Sequence, residues 1–179
     1  MAALDAMLCE EWEHRNFSFN HRWTPDGRER MASMRTGEGD DWFVVFEPGG
    51  VFLKSLWHES PPFDVDTIYA GLPASLARHR TEPAFSMGRV TFGGWHDGAA
   101  WTLRGDWSPI EEDFGMIEGA AEAYRDFAGS YFEVDVPLGG IARVLAGEPL
   151  DAALLDEIGA TRTLDELADS TRSASQPIA

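Results

Sequence analysis

Two pairs of aromatic and β-branched segments, each interrupted by a tight-turn signal, constrain the fold of this 179-residue chain most strongly. The segments Trp42–Glu47 and Val51–Trp57 flank a Pro-Gly-Gly turn, and the segments Ser86–Trp95 and Ala100–Trp107 flank a His-Asp-Gly-Ala turn. Strands joined by so few residues pair in antiparallel fashion, because a parallel crossover needs about a dozen residues or more. The sequence therefore predicts two antiparallel hairpins.

The segments before the first hairpin predict a helix and a further strand. Leu4, Met7, Leu8 and Trp12 share one helical face, which predicts a helix over Ala3–Arg15. Aromatic residues then alternate with polar ones from Phe17 to Trp23, as is typical of a half-buried strand. Residues 28–36 fit either a strand or a short helix. Because both faces of Val51–Trp57 carry apolar side chains, we expect that strand to be central in the sheet.

Helical patterns dominate after Trp107. Ser108 and Glu111 form a candidate capping box, and the helix that follows is expected to run towards Tyr131, with a possible break at Gly119. Two short helices are predicted at Leu138–Ala146 and Leu150–Ile158, and Thr163 and Glu166 cap a last one. The order predicts an α+β fold, with an N-terminal helix, a mostly antiparallel sheet of about 4–6 strands and C-terminal helices packed on it. We expect a single domain over residues 1–169 and a flexible tail over residues 170–179.

The charge of the chain restricts its partners. Thirty-one acidic residues against 14 basic ones give a formal net charge of -17. Phosphate recognition draws on clustered Lys and Arg, so this balance argues against binding to nucleic acid or to an anionic membrane. Residues 110–179 carry 15 acids and 4 arginines, which excludes a DNA-recognition helix there. A basic protein partner is allowed, and a homo-oligomer is possible.

Cysteine usage and sequence motifs exclude several further classes. Cys9 is the single cysteine, so the chain can form no internal disulfide and no CxxC metal site. No apolar run is long enough for a membrane span, and the first residues lack the basic and apolar regions of a secretory signal, so a cytoplasmic location is expected. The glycine-rich nucleotide motifs, HExxH and GxSxG are all absent. We therefore expect no cofactor and no metal.

Two histidine–acid doublets are candidates for a cleft or ligand-binding site. His58 and Glu59 follow a predicted strand beside Trp57, and His96 and Asp97 follow another. If the ends of these hairpins converge, the doublets form a metal or acid–base site. Adjacent residues of a strand point to opposite faces, however, so the alternative is a pair of solvent-exposed loop histidines.

An acidic stretch near the start of the main C-terminal helix is a candidate partner-binding face. It comprises Glu111, Glu112, Asp113, Glu118 and Glu122. Anions stabilise a helix N-terminus, which accounts for the first three residues without any partner. The face is therefore either solvated or in contact with a cation-rich surface.

Three stretches of the chain carry a resemblance. They are WFVVFEPGGVFLKSLWHES (Trp42–Ser60), EPAFSMGRVTFGGW (Glu82–Trp95), and, within Ala123–Ile158, AYRDFAGSYFE and LAGEPLDAALLDEI. The chain resembles a group of small stand-alone bacterial proteins for which no activity or ligand is known. The resemblance implies a single bacterial domain and assigns no functional residue.

These observations leave three functional hypotheses. The first is a non-catalytic protein-binding domain, similar in composition to the small acidic immunity or inhibitor proteins that neutralise a basic partner. The second is a small hydrolase or metal-dependent enzyme centred on His58. The third is a structural homo-oligomer. A polar, concave pocket around His58 would favour the second hypothesis, with a polar atom of His21, His79, His96, Glu59 or Asp97 close to the ring. A carboxylate there would favour the charged imidazole.

Overall fold

The computed structural model describes residues 1–108 and 120–173 and has the predicted α+β fold. The strands are β1 (Phe17–Asn20), β2 (Arg30–Arg35), β3 (Asp41–Glu47), β4 (Gly50–Leu56), β5 (Phe92–His96) and β6 (Trp101–Gly105). The described α-helices are α1 (Ala2–Leu8), α2 (Val65–Ile68), α3 (Ala120–Tyr131), α4 (Leu138–Leu145), α5 (Ala152–Ile158) and α6 (Leu164–Ser173). Short 3-10 helices lie at Trp12–His14, Ala77–Thr81 and Pro83–Phe85.

The chain divides into two compact units. We call residues 1–18 and 120–173 the helical unit and residues 19–108 the sheet unit. No α-helix in the described residues combines the length and apolar character needed to cross a lipid bilayer.

The six strands form one sheet in the order of the sequence. Both predicted hairpins are confirmed as antiparallel, with Trp42 opposite Ser55 and Trp95 opposite Thr102. The second hairpin is shorter than predicted, since its first strand begins only at Phe92. The predicted start of that strand follows a 3-10 helix at Pro83–Phe85: Ser86 has a left-handed backbone, and Val90 forms an isolated bridge with Phe63. The ambiguous residues 28–36 contain β2.

One face of the sheet carries the core of the sheet unit. Phe43, Val45 and Phe52 pack there against the connection between β4 and β5, which contributes Tyr69 and Phe85 among others. The prediction of a central strand is confirmed, because Phe52 to Leu56 are all buried and β4 pairs on both sides. The β3 and β4 ends are therefore held rigidly.

The helical unit has its own core. One helix boundary in this unit differs from the prediction. Leu4 and Met7 pack against Tyr124, Ile141 and other residues of the C-terminal helices. The predicted helix over Ala3–Arg15 is wrong in length, because α1 ends at Leu8 and Cys9 is extended. Arg15 does not pair with Glu11, since its side chain donates to the Cys9 and Glu10 carbonyls beyond the helix end.

The C-terminal helices follow the predicted pattern. Asp151 caps α5 by accepting a hydrogen bond from the Leu154 amide. The predicted capping box at Thr163 and Glu166 is confirmed, since each side chain accepts from the backbone amide of the other residue. Helix α6 continues to Ser173, past the point where the sequence predicts a tail. The predicted capping box pairs Ser108 with Glu111, and both Glu111 and the possible break at Gly119 fall outside the described residues; the Ser108 amide and hydroxyl donate to Asp106.

Candidate functional site

The junction of β3 and β4 pairs His58 with a buried carboxylate. Asp41 lies opposite Leu56 in the sheet, so Asp40, just before β3, comes next to His58, just after β4. The Asp40 Oδ1 atom accepts a hydrogen bond from the His58 amide at 2.7 Å and lies 2.6 Å from the ring Nδ1. The Asp40 side chain is 4% exposed and the His58 side chain 36%. A buried acid thus orients a ring that reaches solvent.

A second base–acid pair lies directly beside the first. Lys54, the single lysine of the chain, is fully buried opposite Phe43, and its ammonium donates to Asp41. The Lys54 Nζ atom also lies 5.6 Å from the centre of the Phe43 ring. Burial lowers the pKa of Lys54 and raises the pKa of Asp41, while the attraction between the two groups opposes both shifts. This pair was not predicted.

The structure gives the other members of the predicted cleft separate roles. The Trp57 ring stacks on the His58 ring at 6.4 Å between centroids, and its amide donates to Thr91. Glu59 is exposed. The acid beside His58 is therefore Asp40, 18 residues earlier in the chain, and not the adjacent Glu59.

The two histidine doublets lie at opposite ends of β4 and do not form one site. His96 lies opposite Val51 at the start of β4, whereas His58 follows the end of that strand. At about 3.3 Å per residue, the two positions are roughly 20 Å apart. His96 and Asp97 shape the β5–β6 turn, because His96 Nδ1 accepts from the Gly98 amide and Asp97 from the Ala99 and Ala100 amides. These amides lower the pKa of Asp97.

Most of the predicted acidic face falls outside the described residues. Glu111, Glu112, Asp113 and Glu118 belong to the segment 109–119, which the structure does not describe. Glu122 is exposed on α3, whose inner face buries Tyr124 and Ala128.

A buried polar cluster that the sequence did not predict lies elsewhere in the sheet unit. Glu29 precedes β2, Glu47 ends β3 and His79 lies in the 3-10 helix Ala77–Thr81. All three side chains are buried, and the His79 Nε2 atom lies 3.3 Å from a Glu47 carboxylate oxygen. One Arg78 nitrogen bridges both glutamates, at 2.7 Å from Glu29 Oε1. Burial and, to a smaller extent, the Arg78 charge lower the pKa of His79 to about 4.

His79 is a buried histidine outside the segments in which alternation predicts a strand. The alternation of Phe17–Trp23 places His21 on an apolar face, yet β1 ends at Asn20 and His21 is exposed. His79 is buried instead, under the Phe52 and Phe85 rings. Its segment carries no strand periodicity that would have indicated burial.

Comparisons with known proteins assign no family to the chain and no function to these sites. A scan against protein-family models finds no match, and searches of the curated proteins and of the solved structures find none either. The resemblance to small bacterial proteins stays a prediction.

Proposed function

We propose that the helical unit binds a basic protein through its exposed carboxylates, and that the chain acts by this contact and not by catalysis. The described helical unit contains 15 acidic residues and 5 arginines, a net charge of -10, whereas the sheet unit contains 12 acidic and 9 basic residues, a net charge of -3. The excess of carboxylates on one unit is the observation that carries the proposal. Thirteen of those fifteen acids are exposed: Glu10, Glu11, Glu13, Glu122, Asp126, Glu133, Asp135, Glu148, Asp151, Asp156, Glu157, Asp165 and Glu166.

The arginines of the helical unit neutralise few of these carboxylates. Arg15 and Arg162 donate to backbone carbonyl oxygens. Arg143 pairs with Glu148 and Glu157, and Arg125 pairs with its neighbour Asp126. A surface with this excess of negative charge attracts a basic partner, speeds encounter and disfavours acidic competitors.

Charge reversal at two exposed acids of α3 tests the proposal. Glu122 and Asp126 lie one helical turn apart, and Glu38 and Glu59 are exposed acids of the sheet unit. The partner is first captured from a lysate of the cells that encode the chain, and its Kd is then measured for each protein by calorimetry. We expect Glu122→Arg/Asp126→Arg to weaken binding at least about tenfold, which corresponds to about 1.4 kcal/mol.

The variant Glu38→Arg/Glu59→Arg is the matched control, because it changes the net charge by the same amount on the other unit. We expect its Kd to change less than about threefold, since neither reversed charge belongs to the helical unit. An equal loss of affinity in both variants would mean that binding depends only on the net charge of the chain. No loss in either would contradict binding through the helical unit.

The Asp40–His58 pair supports a second candidate function, general acid–base catalysis by a small hydrolase. A carboxylate that accepts the Nδ1 proton leaves the lone pair of the other ring nitrogen free to take a proton from water or from a substrate hydroxyl. The 36% exposure of the His58 side chain gives a substrate access to the ring. Among the described residues, no serine, threonine or cysteine side chain is hydrogen-bonded to the His58 ring, and the Thr36 hydroxyl instead accepts from the Asp40 amide. Water would therefore be the attacking group.

A further inference from the structure

The buried cluster of Glu29, Glu47 and His79 has the chemistry of a cation site. The carboxylate oxygens and the ring nitrogen that face one another all lie within 4.8 Å. They come from three separate segments of the sheet unit, so the fold, and not a local turn, brings them together. Two buried carboxylates require a positive charge between them, because desolvated negative charges repel and cost free energy when unpaired.

Arg78 supplies this charge from a half-exposed position. Its Nη2 atom bridges Glu29 and Glu47, while its Nη1 atom donates to the Ser75 carbonyl at 2.7 Å. The Arg78 side chain is 53% exposed, whereas the side chains of Glu47 and His79 are 3% exposed. The guanidinium can therefore rotate into solvent and leave the acids and the imidazole in place.

The spacing of the three side chains suits a transition-metal ion. Metal–ligand bonds of about 2.0–2.2 Å place neighbouring ligand atoms about 3.0–3.5 Å apart at tetrahedral or octahedral angles. The 3.3 Å between His79 and Glu47 already falls in this range. The Glu29 oxygen can approach by the remaining ångström or so through rotation of its side chain, since only Arg78 holds it.

We propose that Glu29, Glu47 and His79 bind a divalent transition-metal cation such as Zn²⁺ or Mn²⁺, and that Arg78 occupies the site in competition with it. Two carboxylates and one imidazole form a mixed oxygen and nitrogen set, which suits these ions better than it suits Mg²⁺ or Ca²⁺. Three protein ligands leave a coordination position of the metal ion for water. The chain has no metal-binding motif, so the sequence alone predicted no metal.

Titration of the full chain with Zn²⁺ or with Mn²⁺ by calorimetry tests the proposal. We expect one bound ion per chain. Arg78→Gln should bind it at least about tenfold more tightly, because the competing charge is gone, and Glu47→Gln or His79→Ala should bind it at least about tenfold more weakly. Arg80→Gln, which removes a neighbouring arginine paired with Asp66, should leave the affinity unchanged. A structural salt bridge alone predicts that Arg78→Gln loses stability and gains no affinity.

Thermal unfolding of the unmutated chain provides a second measurement that does not depend on the folding of any variant. A specific site raises the melting temperature with metal concentration, since the ion binds the native state only. We expect this rise for the unmutated chain and for His21→Ala, which removes an exposed histidine. If neither metal raises the melting temperature, or if Arg78→Gln folds and binds no more tightly, the proposal is overturned.

Discussion

At the scale of single residues, two consecutive aspartates at the start of β3 each bind a different basic side chain. One base lies in β4 and the other lies just after it. Asp40 holds the half-exposed His58 ring, and Asp41 holds the buried Lys54 ammonium. His58 could be selected from the sequence because it follows a strong strand beside a Pro-Pro loop. Its partner could not, because Asp40 meets His58 only through the β3–β4 register.

Because His58 is hydrogen-bonded to Asp40, we expect its removal to lower the stability of the fold. A residue of an exposed loop can be substituted within about ±0.5 kcal/mol, but loss of a hydrogen bond to a buried carboxylate costs about 1–3 kcal/mol. We therefore expect His58→Ala to lower the free energy of unfolding by about 1–3 kcal/mol in urea denaturation. The exposed His21→Ala should stay within about 0.5 kcal/mol.

The same pair of variants evaluates the second candidate function. If His58 acts as a general base, the unmutated chain and His21→Ala hydrolyse p-nitrophenyl acetate faster than His58→Ala does. Equal rates in all three proteins would remove His58 from any catalytic account and leave it a structural residue.

At the scale of elements, local signals predicted strands and most helices, while tertiary contacts decided their ends. The β3–β4 and β5–β6 hairpins follow from alternation and turn residues, which act over a few positions. Asp5 of α1 is buried and accepts hydrogen bonds from the Phe17 amide and the Tyr124 hydroxyl, so distant residues fix the position of this helix. The latter contact spans 119 residues. The Glu29–Glu47–His79 cluster escaped prediction for the same reason, since no short spacing joins its members.

Asp5 also makes the helical unit sensitive to pH. Burial raises its pKa from an ordinary value near 3.8 to about 6, although hydrogen bonds from Phe17 and Tyr124 oppose the shift. The fold therefore favours the protonated acid, and the stability that this group contributes is full below about pH 4 and lost as the pH rises through 6. A shift of about two units corresponds to about 3 kcal/mol.

Comparison with Asp5→Asn isolates this contribution from that of the other acids. We compare the free energy of unfolding of the unmutated chain with that of the variant. The difference, unmutated chain minus variant, should fall by about 3 kcal/mol between about pH 4 and about pH 7. Chemical denaturation at several pH values measures the difference. A difference that stays constant, or that grows with pH, would contradict a raised pKa at Asp5.

At the scale of the whole molecule, charge is distributed unequally between two compact units. The described helical unit carries a net charge of -10 and the sheet unit -3, although the sheet unit is the larger of the two. The total charge could be read from the sequence, and so could its bias towards the C-terminal half. That residues 1–18 join the acidic helices in one unit depends on contacts such as Leu4 with Tyr124, which no local pattern predicts.

If the acidic surface of the helical unit recognises a basic protein, its association with the captured partner weakens as the salt concentration rises. Raising the ionic strength from about 0.01 M to about 1 M shortens the Debye length from about 30 Å to about 3 Å, which screens exposed charges from one another. We expect the association rate and the affinity both to fall steeply over this range, and to fall less steeply for Glu122→Arg/Asp126→Arg. An affinity that is the same at both ends of the range would contradict recognition through the carboxylates of the helical unit.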